Sequence, residues 1–286
     1  MKNKIPVKRI KEPKERLFFS DFMGIQSVAK MLNGAPMVEK LHKHDFYFVL
    51  VLENGSGSHF IDFISYPVEN YTIYFMRPGQ VHQLTLEKDC TGFLINFNSE
   101  IYLSKDKVKS ELLRKASGQN FYQLEKQKFN RLYSTITYLF QEFNNKKKGF
   151  EEIVIANLTI FFSELTRFQK RNSLITVSSY SLQRIDEFQQ LLETQIYTQK
   201  KVSYYTKKMN ISQYQLNSIT KETLGKTASE MIQEQVILEA KKLLLATTNQ
   251  VNQIAMKLGY EDVSYFIRLF KKHTYQPPDT FRINFK

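Results

Sequence analysis

The chain has 286 residues, a formal net charge of +13, 42% hydrophobic and 14% aromatic residues, and only 10 Gly and 7 Pro. This length accommodates two domains with separate cores, and the composition excludes a disordered or fibrous chain. A single cysteine, Cys90, rules out an internal disulfide, which fits a reducing compartment or simply low cysteine usage.

No apolar run approaches the ~20 residues of a membrane span, and the basic residues 1–16 are not followed by an apolar signal-peptide core. A soluble, cytoplasmic protein without a membrane partner is expected. The positive charge suits a polyanion in general, but it is spread along the chain. Residues 181–286 carry +5 and residues 1–180 carry +8, of which the first sixteen residues supply +5.

In chain order, the first patterned region reads as short strands over 45–52, 58–64, 72–76 and 92–97, broken by Gly, Asn and Pro turns. Alternation is visible in His59-Phe60-Ile61-Asp62-Phe63, and Glu53-Asn54-Gly55-Ser56-Gly57 is a hairpin signal. Strands at this spacing predict a small β-barrel or sandwich. His42-Lys43-His44 precedes the first of these strands and Arg77-Pro78-Gly79-Gln80-Val81-His82 follows the third. Alternation nominates Phe46, Phe48, Phe60 and Tyr74 as barrel-facing.

From 111 to 170 the period becomes helical. Phe129, Leu132, Tyr133, Ile136, Leu139, Phe140 and Phe143 share one face, until Lys146-Lys147-Lys148-Gly149 breaks it. Ile153, Ile155, Ala156, Leu158, Phe161, Phe162 and Leu165 then mark a second helix. This pair either packs on the barrel or also mediates dimerisation. Residues 171–181, rich in Ser and Thr, read as a linker.

The last hundred residues contain one pattern twice. The first copy runs Val202, Thr206, Met209, Ile211, Ser212, Leu216, Ile219, Lys221; the second runs Val251, Ala255, Leu258, Gly259, Tyr260, Asp262, Phe266, Leu269, Lys271. The offset is 49 residues in the first helix and 50 in the second, so one insertion near the turn reconciles the copies. Each copy offers a short apolar helix, a tight turn, an N-cap (Ser212 or Asp262) and a second amphipathic helix. That is a duplicated helix-turn-helix. The segment 227–247 between them has no Gly or Pro and reads as one helix of about 20 residues, roughly 30 Å, close to the ~34 Å between successive major grooves on one face of DNA.

In such a motif, exposed residues near the start of the second helix reach base edges. The candidates are Gln213, Tyr214, Asn217, Ser218 and Lys221 in the first copy, and Val263, Ser264, Ile267, Arg268, Lys271 and Lys272 in the second. Gln and Asn can pair with adenine and Arg with guanine, while the lysines suit phosphates.

The run Glu239-Ala240-Lys241-Lys242-Leu243-Leu244, with Ile254-Ala255, Leu258-Gly259-Tyr260-Glu261-Asp262, Ser264-Tyr265-Phe266-Ile267-Arg268-Leu269-Phe270-Lys271-Lys272, Pro278 and Phe281-Arg282, resembles the second half of an AraC-type DNA-binding domain. The resemblance spans about one hundred residues. In three places the chain departs from it: Thr206 stands where a small Ala is usual, Ile267 where a polar residue is common, and Tyr275 where Gly is frequent. The two histidine elements look like those of the cupin-like sensor domain that often precedes such a domain, over roughly residues 15–100.

The resemblance implies an α+β chain. An N-terminal cupin-like β-barrel has a helical extension, and a C-terminal all-α domain holds two helix-turn-helix units joined by a long helix. The expected divisions are a sensing barrel over 1–110, a helical or dimerisation region over 111–170, a linker over 171–181 and a DNA-binding domain over 182–286. The expected function is transcription regulation, as an activator and a homodimer, with double-stranded DNA as partner. A small-molecule effector, for which a sugar would suit aromatic stacking with polar partners, would bind at His42, His44, Phe46, Phe48 and His82. In cupin enzymes such histidines hold a metal with a carboxylate shortly after the HxH. Here Phe46-Tyr47-Phe48-Val49 occupies that region, which leaves at most three His ligands, enough for zinc but short of a typical cupin site. The effector reading is preferred to a metal and to a structural role at the barrel mouth, and no cofactor and no catalytic residue is expected. The alternatives are a metal-dependent cupin enzyme with a helical tail and a DNA-binding adaptor that senses nothing.

Overall fold

The computed structural model describes residues 6–8, 19–102, 107–168 and 179–284. The chain divides into two compact units, one over Pro6–Gln169 and the other holding Lys170–Lys286. Among the described residues, no helix is long and apolar enough to cross a membrane.

The first unit contains β1 (Val7–Lys8), α1 (Phe19–Phe22), β2 (Met23–Ser27), α2 (Val28–Leu32), β3 (Met37–His44), β4 (Tyr47–Asn54), β5 (Gly57–Ile61), β6 (Ile64–Val68), β7 (Thr72–Met76), β8 (Val81–Leu86), β9 (Thr91–Phe97), α3 (Ser99–Tyr102), α4 (Lys107–Ser117), β10 (Phe121–Gln123), α5 (Lys126–Asn145) and α6 (Phe150–Phe168). The strands form two five-stranded sheets, ordered β1-β3-β8-β5-β6 and β10-β7-β4-β9-β2.

Strand β4 explains the architecture. Its run Tyr47-Phe48-Val49-Leu50-Val51-Leu52 is apolar at every position because both of its faces are buried. Phe48, Leu50 and Leu52 join Tyr74, Met76, Ile61, Val68, Leu84 and Leu86 in a core between the sheets. Val49 and Val51, with Ile73, Phe75, Ile95 and Phe97, form a second core with the helices. There Phe129, Leu132, Ile136 and Leu139 of α5 and Val154, Leu158, Phe161, Phe162 and Leu165 of α6 are buried. The ring of Phe162 lies 5.4 Å from that of Phe75 and 5.8 Å from that of Phe97. Burying each such side chain contributes about 1.5–3 kcal/mol. Helix α5 ends where Lys146 takes a left-handed conformation (φ 49°), at the predicted break. Ala156, read as part of the apolar face of α6, is exposed.

The strand reading is corrected in places. The segment 53–57 is not a hairpin, because β4 pairs with β7 and β9 while β5 pairs with β6 and β8. The Asn-Gly turn carries the chain from one sheet to the other. The neighbouring hairpin joins β5 to β6 through Asp62 (φ 45°) and Phe63 (φ 70°), the two positive φ values that a tight hairpin requires. The Asp62 carboxylate offsets that cost locally, accepting from the Val81 N–H at 3.1 Å and from the Gln80 amide at 2.8 Å. Finally, His42 and His44 precede the strand at 47–54 and His82 follows the one at 72–76 as read, but they lie in strands of their own, β3 and β8.

The second unit is helical: α7 (Ser179–Gln195), α8 (Val202–Met209), α9 (Gln213–Leu224), α10 (Ala228–Ala246), α11 (Val251–Lys257), α12 (Val263–Thr274) and α13 (Pro278–Asn284). Of the expected linker, 171–178 lies outside the described residues and 179–181 opens α7. Helices α8 and α9 form one helix-turn-helix, and α11 and α12 the other. In the turns Asn210 (φ 54°) and Gly259 (φ 72°) are left-handed equivalents. The Ile211 and Tyr260 N–H groups then reach back to the carbonyls of Thr206 and Ala255 at 3.1 and 2.9 Å. Equivalence is offset by 49 residues at Tyr260 and by 50 at Asp262, so the inserted residue is Glu261. Thr206 is accommodated at the usual Ala position because its hydroxyl donates to the Ser203 carbonyl at 3.1 Å.

Helix α10 starts at a capping box in which the Glu230 N–H donates to Thr227 Oγ1 and the Thr227 N–H to the Glu230 carboxylate. At its far end, Arg282 of α13 donates to the carbonyls of Leu244 (3.0 Å) and Asn249 (2.6 Å). Along α10, Met231, Ile232 and Val236 join a core with Phe188 of α7, Tyr205 of α8 and Leu216 of α9. Ala240, Leu243 and Leu244 of α10 are buried too, as are Ile254, Phe266, Phe270 and Phe281 of the helices that follow. The second motif also touches the segment that leads into the first. Lys200 Nζ lies 5.3 Å from the Tyr260 ring centroid, and a Cβ on Gly259 would come within 2.9 Å of the Tyr197 carbonyl oxygen.

Candidate nucleic-acid interface and effector cavity

At a 50-residue offset, α9 and α12 bury equivalent positions: Leu216, Ile219 and Thr220 against Phe266, Leu269 and Phe270. Each helix is capped by a side chain that accepts from its third N–H, Ser212 for α9 and Asp262 for α12. The same geometry leaves the opposite faces open. Gln213, Tyr214, Ser218 and Lys221 are exposed on α9, and Ser264, Arg268, Lys271 and Lys272 on α12. Tyr214 is 84% exposed, an unusual place for so large a ring unless something covers it. Arg268 is also well exposed, with only a 3.9 Å pairing to Asp262, an interaction worth about 0–1 kcal/mol and easily exchanged for a nucleic-acid contact.

The remaining candidates are placed differently. Val263 and Ile267 are half-buried. Asn217, equivalent to Ile267, is also half-buried, and its amide oxygen accepts from the Ala228 N–H at 3.0 Å. It therefore holds the first turn of α10 to α9. Tyr265 is a surface residue that sequence reasoning passed over. It is 46% exposed and stacks on Tyr260, and its equivalence to the exposed Gln215 is the signal that marks it.

The first unit contains a cavity of about 200 Å³ between the sheets, lined by His42, His44, Phe46, Phe48 and His82, with Lys8, Gln26, Glu39 and Asn96 as the other polar groups. Lys8 and Glu39 form an ion pair. All five expected effector-site residues thus meet in one place. Of the other two aromatic residues nominated, Tyr74 lies in the inter-sheet core and donates to the Pro67 carbonyl, while Phe60 lies edge-on to Phe63.

The histidines come from two adjacent strands. The register sets His42 of β3 opposite His82 of β8, and His82 opposite Ile61 at the end of β5. Three Nε2 atoms converge: His42 to His44 at 3.1 Å, His44 to His82 at 2.8 Å and His82 to His42 at 3.0 Å. A fourth histidine, His59 of β5, reaches His82 Nδ1 through its own Nε2 at 2.9 Å. The sequence alone gave no spacing signal for His59. Burial lowers the basicity of all four, with His44 and His59 brought down to about 3; repulsion from neighbouring imidazolium rings adds to the effect for His44, His59 and His82, and the Lys8 ammonium adds to it for His42. His42 Nδ1 lies 2.7 Å from the Lys40 carbonyl and must donate to it.

Two family models match the chain, together covering more than half of it: an AraC-like ligand binding domain over residues 36–105 and a helix-turn-helix domain over residues 205–284. The chain is similar to a Bacillus subtilis protein named uncharacterized HTH-type transcriptional regulator YfiF, at 25% identity over 86% of this chain and 79% of that one. It is also similar to the HTH-type transcriptional activator RhaS of Escherichia fergusonii, at 21% identity over 81% of this chain and 83% of that one. A crystal structure of ToxT from Vibrio cholerae, bound to a substituted butenoic acid, aligns with 93% of this chain and all of that one at 14% identity, with a TM-score of 0.43.

Proposed function

From the premise that this chain is a member of the AraC family of transcriptional regulators, with a ligand-binding domain and a helix-turn-helix DNA-binding domain, we propose that α9 and α12 read successive turns of one operator. A small molecule in the sheet cavity governs that reading. The observation that carries the proposal is the repeated burial pattern of α9 and α12, which leaves equivalent exposed faces on two capped helices.

Gln213, Tyr214, Ser218, Ser264 and Arg268 are assigned to base edges, and Lys221, Lys271 and Lys272 to phosphates. Val263 and Ile267 supply apolar contact at the rim, and Asn217 serves chiefly to hold α10. The effector site is assigned to His42, His44, Phe46, Phe48 and His82. Polar groups among apolar ones are what orient a small ligand, and a sugar is one class that fits. The protein acts in the cytoplasm as a homodimer. Pairing is assigned to α5 and α6, where Tyr138 and Ile160 stay exposed. Activation is the favoured outcome, since RhaS relatives are named activators. No catalytic step is assigned to any residue.

A mobility-shift titration of the full chain on DNA upstream of its own coding sequence, with salt varied, tests the reading. Saturable, sequence-selective binding that weakens steeply with salt is expected. Binding that stays weak and indifferent to sequence, with and without every small molecule found to occupy the cavity, would overturn it.

A further inference from the structure

Helix α10 is the covalent link between the two motifs, but it does not by itself fix how α9 and α12 face one another. It ends at Ala246, and residues 247–250 leave helical geometry before α11 begins. A second link is built from side chains. Lys200 directly precedes Lys201, the N-cap of α8, and is half-buried. Its ammonium lies 5.3 Å from the ring centroid of Tyr260, in the turn of the second motif, and donates to the Tyr197 carbonyl at 3.3 Å. Among the described residues no carboxylate pairs with it. Burial lowers its basicity, so beyond one carbonyl its charge is compensated by the face of Tyr260.

The partners of Lys200 are themselves held. The Tyr197 hydroxyl donates to Glu239 of α10 at 2.6 Å. Tyr260 packs against the core of the first motif and stacks on Tyr265, in the first turn of α12, with centroids 6.0 Å apart. Gly259 stands between the two sides at φ 72°, where a Cβ would come within 2.8 Å of Lys200 Nζ. In the first copy Asn210 takes the equivalent left-handed place. The φ value alone therefore does not demand glycine at 259, whereas the approach of Lys200 does. Ile211 stands at the place of Tyr260, so the first copy offers no such ring.

We propose that Lys200 and Tyr260 form a positioning latch that sets the spacing between α9 and α12, and thereby selects operators by the distance and rotation between their two contacted turns. The latch rests on the reading in which α9 and α12 take successive turns. Lys200 itself touches no base. One base pair inserted between those turns moves them apart by about 3.4 Å and rotates one against the other by about 34–36°. To follow, the latch must open, so discrimination against an ill-spaced operator includes the strength of the Lys200–Tyr260 contact. A cation–π pair of this kind corresponds to a ratio of about two- to thirtyfold in affinity. Without the contact, that part of the discrimination disappears. A variant lacking it binds ill-spaced DNA more tightly than the wild type does, a gain that mere loss of stability cannot produce.

The test is a mobility-shift titration of the full chain on a duplex taken from the DNA upstream of its own coding sequence. The same duplex is then used with one base pair inserted or removed between the two turns located by footprinting. The wild type should lose affinity on both altered duplexes. Lys200→Met, which keeps the aliphatic stem and removes the charge, should narrow that loss about two- to thirtyfold by gaining on the altered duplexes. Lys200→Arg keeps a cation and should stay close to wild type. Tyr260→Leu removes the ring and should repeat the Lys200→Met pattern; circular dichroism checks each variant, and either one carries the test if the other fails to fold. An unchanged ratio between duplexes in Lys200→Met, an equal loss on all of them, or a wild type indifferent to spacing with both turns protected would overturn the latch and leave the two-turn reading intact. Protection confined to a single turn would instead overturn the two-turn reading, and the latch with it.

Discussion

The two helix-turn-helix motifs end their second helices in the same way but with different residues, and the difference has a calculable effect. Gly225 (φ 70°) caps α9 and Tyr275 (φ 61°) caps α12, each donating its N–H to the carbonyl four residues back, at 2.9 and 2.8 Å. An L-residue in this region costs roughly 1–2 kcal/mol, whereas Gly adopts it freely and gives back roughly 0.5–1 kcal/mol through unfolded-chain entropy. The Tyr275 side chain is 91% exposed, so removing it sacrifices little packing. Tyr275→Gly should therefore stabilise the helical unit by about 0.5–1 kcal/mol. For a unit of this size that is a rise of roughly 2–6 °C in its transition, read by calorimetry on the full chain. Gly225→Ala is the reciprocal. A Cβ there meets nothing within 4 Å, so only the backbone term acts, and a loss of about 1 kcal/mol is expected. A destabilised Tyr275→Gly, or a neutral Gly225→Ala, would refute the reasoning.

Asn217→Ala should cost about 1 kcal/mol of stability by stripping the Ala228 N–H of its partner, whereas Asn217→Asp keeps an acceptor and should melt close to wild type; equal losses in chemical denaturation would return Asn217 to the DNA-reading set. Arg268→Ala should weaken operator binding by about 1–3 kcal/mol and relax the preference at one base pair, measured by competition with operator variants; an unchanged affinity removes the contact. Lys271→Ala should weaken all sequences alike and lower the salt slope by about one, and a sequence-dependent loss would contradict the phosphate assignment. Gly259→Ala combines a strained φ with a Cβ about 2.9 Å from the Tyr197 carbonyl oxygen; it should destabilise the helical unit by more than ~1 kcal/mol, and a wild-type melting curve would show that the motifs are not in tight contact there.

The helical half was legible because its information is redundant. Two copies of a 3.6-residue period, with caps and turns at equivalent places, constrain each other, and the copies even locate the inserted Glu261. The sheet half was read less well, for reasons visible in its residues. The inward positions of β3 and β8 near the cavity are His42, His44 and His82, so their alternation is polar where a strand signal expects apolar side chains. In β4 the opposite holds, since burial on both faces erases alternation altogether. Asn54-Gly55 has the chemistry of a hairpin, but partner choice is decided by packing between sheets, which no local pattern reports. At the candidate sites, sequence supplied which residues were available, but not that Asn217 would be drawn into the α9–α10 junction. Nor did it show that His59 would stand behind His82, because such contacts join segments far apart in the chain.

The absence of a soft point along α10 has a consequence for the DNA. The helix has no Gly or Pro, is tied at its far end by Arg282, and runs between motifs that are also linked by the contact of Lys200, just before α8, with Tyr260. At 19 residues it is about 28 Å long. A reader this stiff cannot accommodate an ill-fitting operator by flexing, so the mechanical adjustment falls to the duplex. If α9 and α12 take successive turns as proposed, base pairs between them that no side chain touches affect binding through how cheaply they bend or untwist. Pyrimidine–purine steps placed there should be favoured, and stiff A-tracts penalised, although the protein never reads those bases.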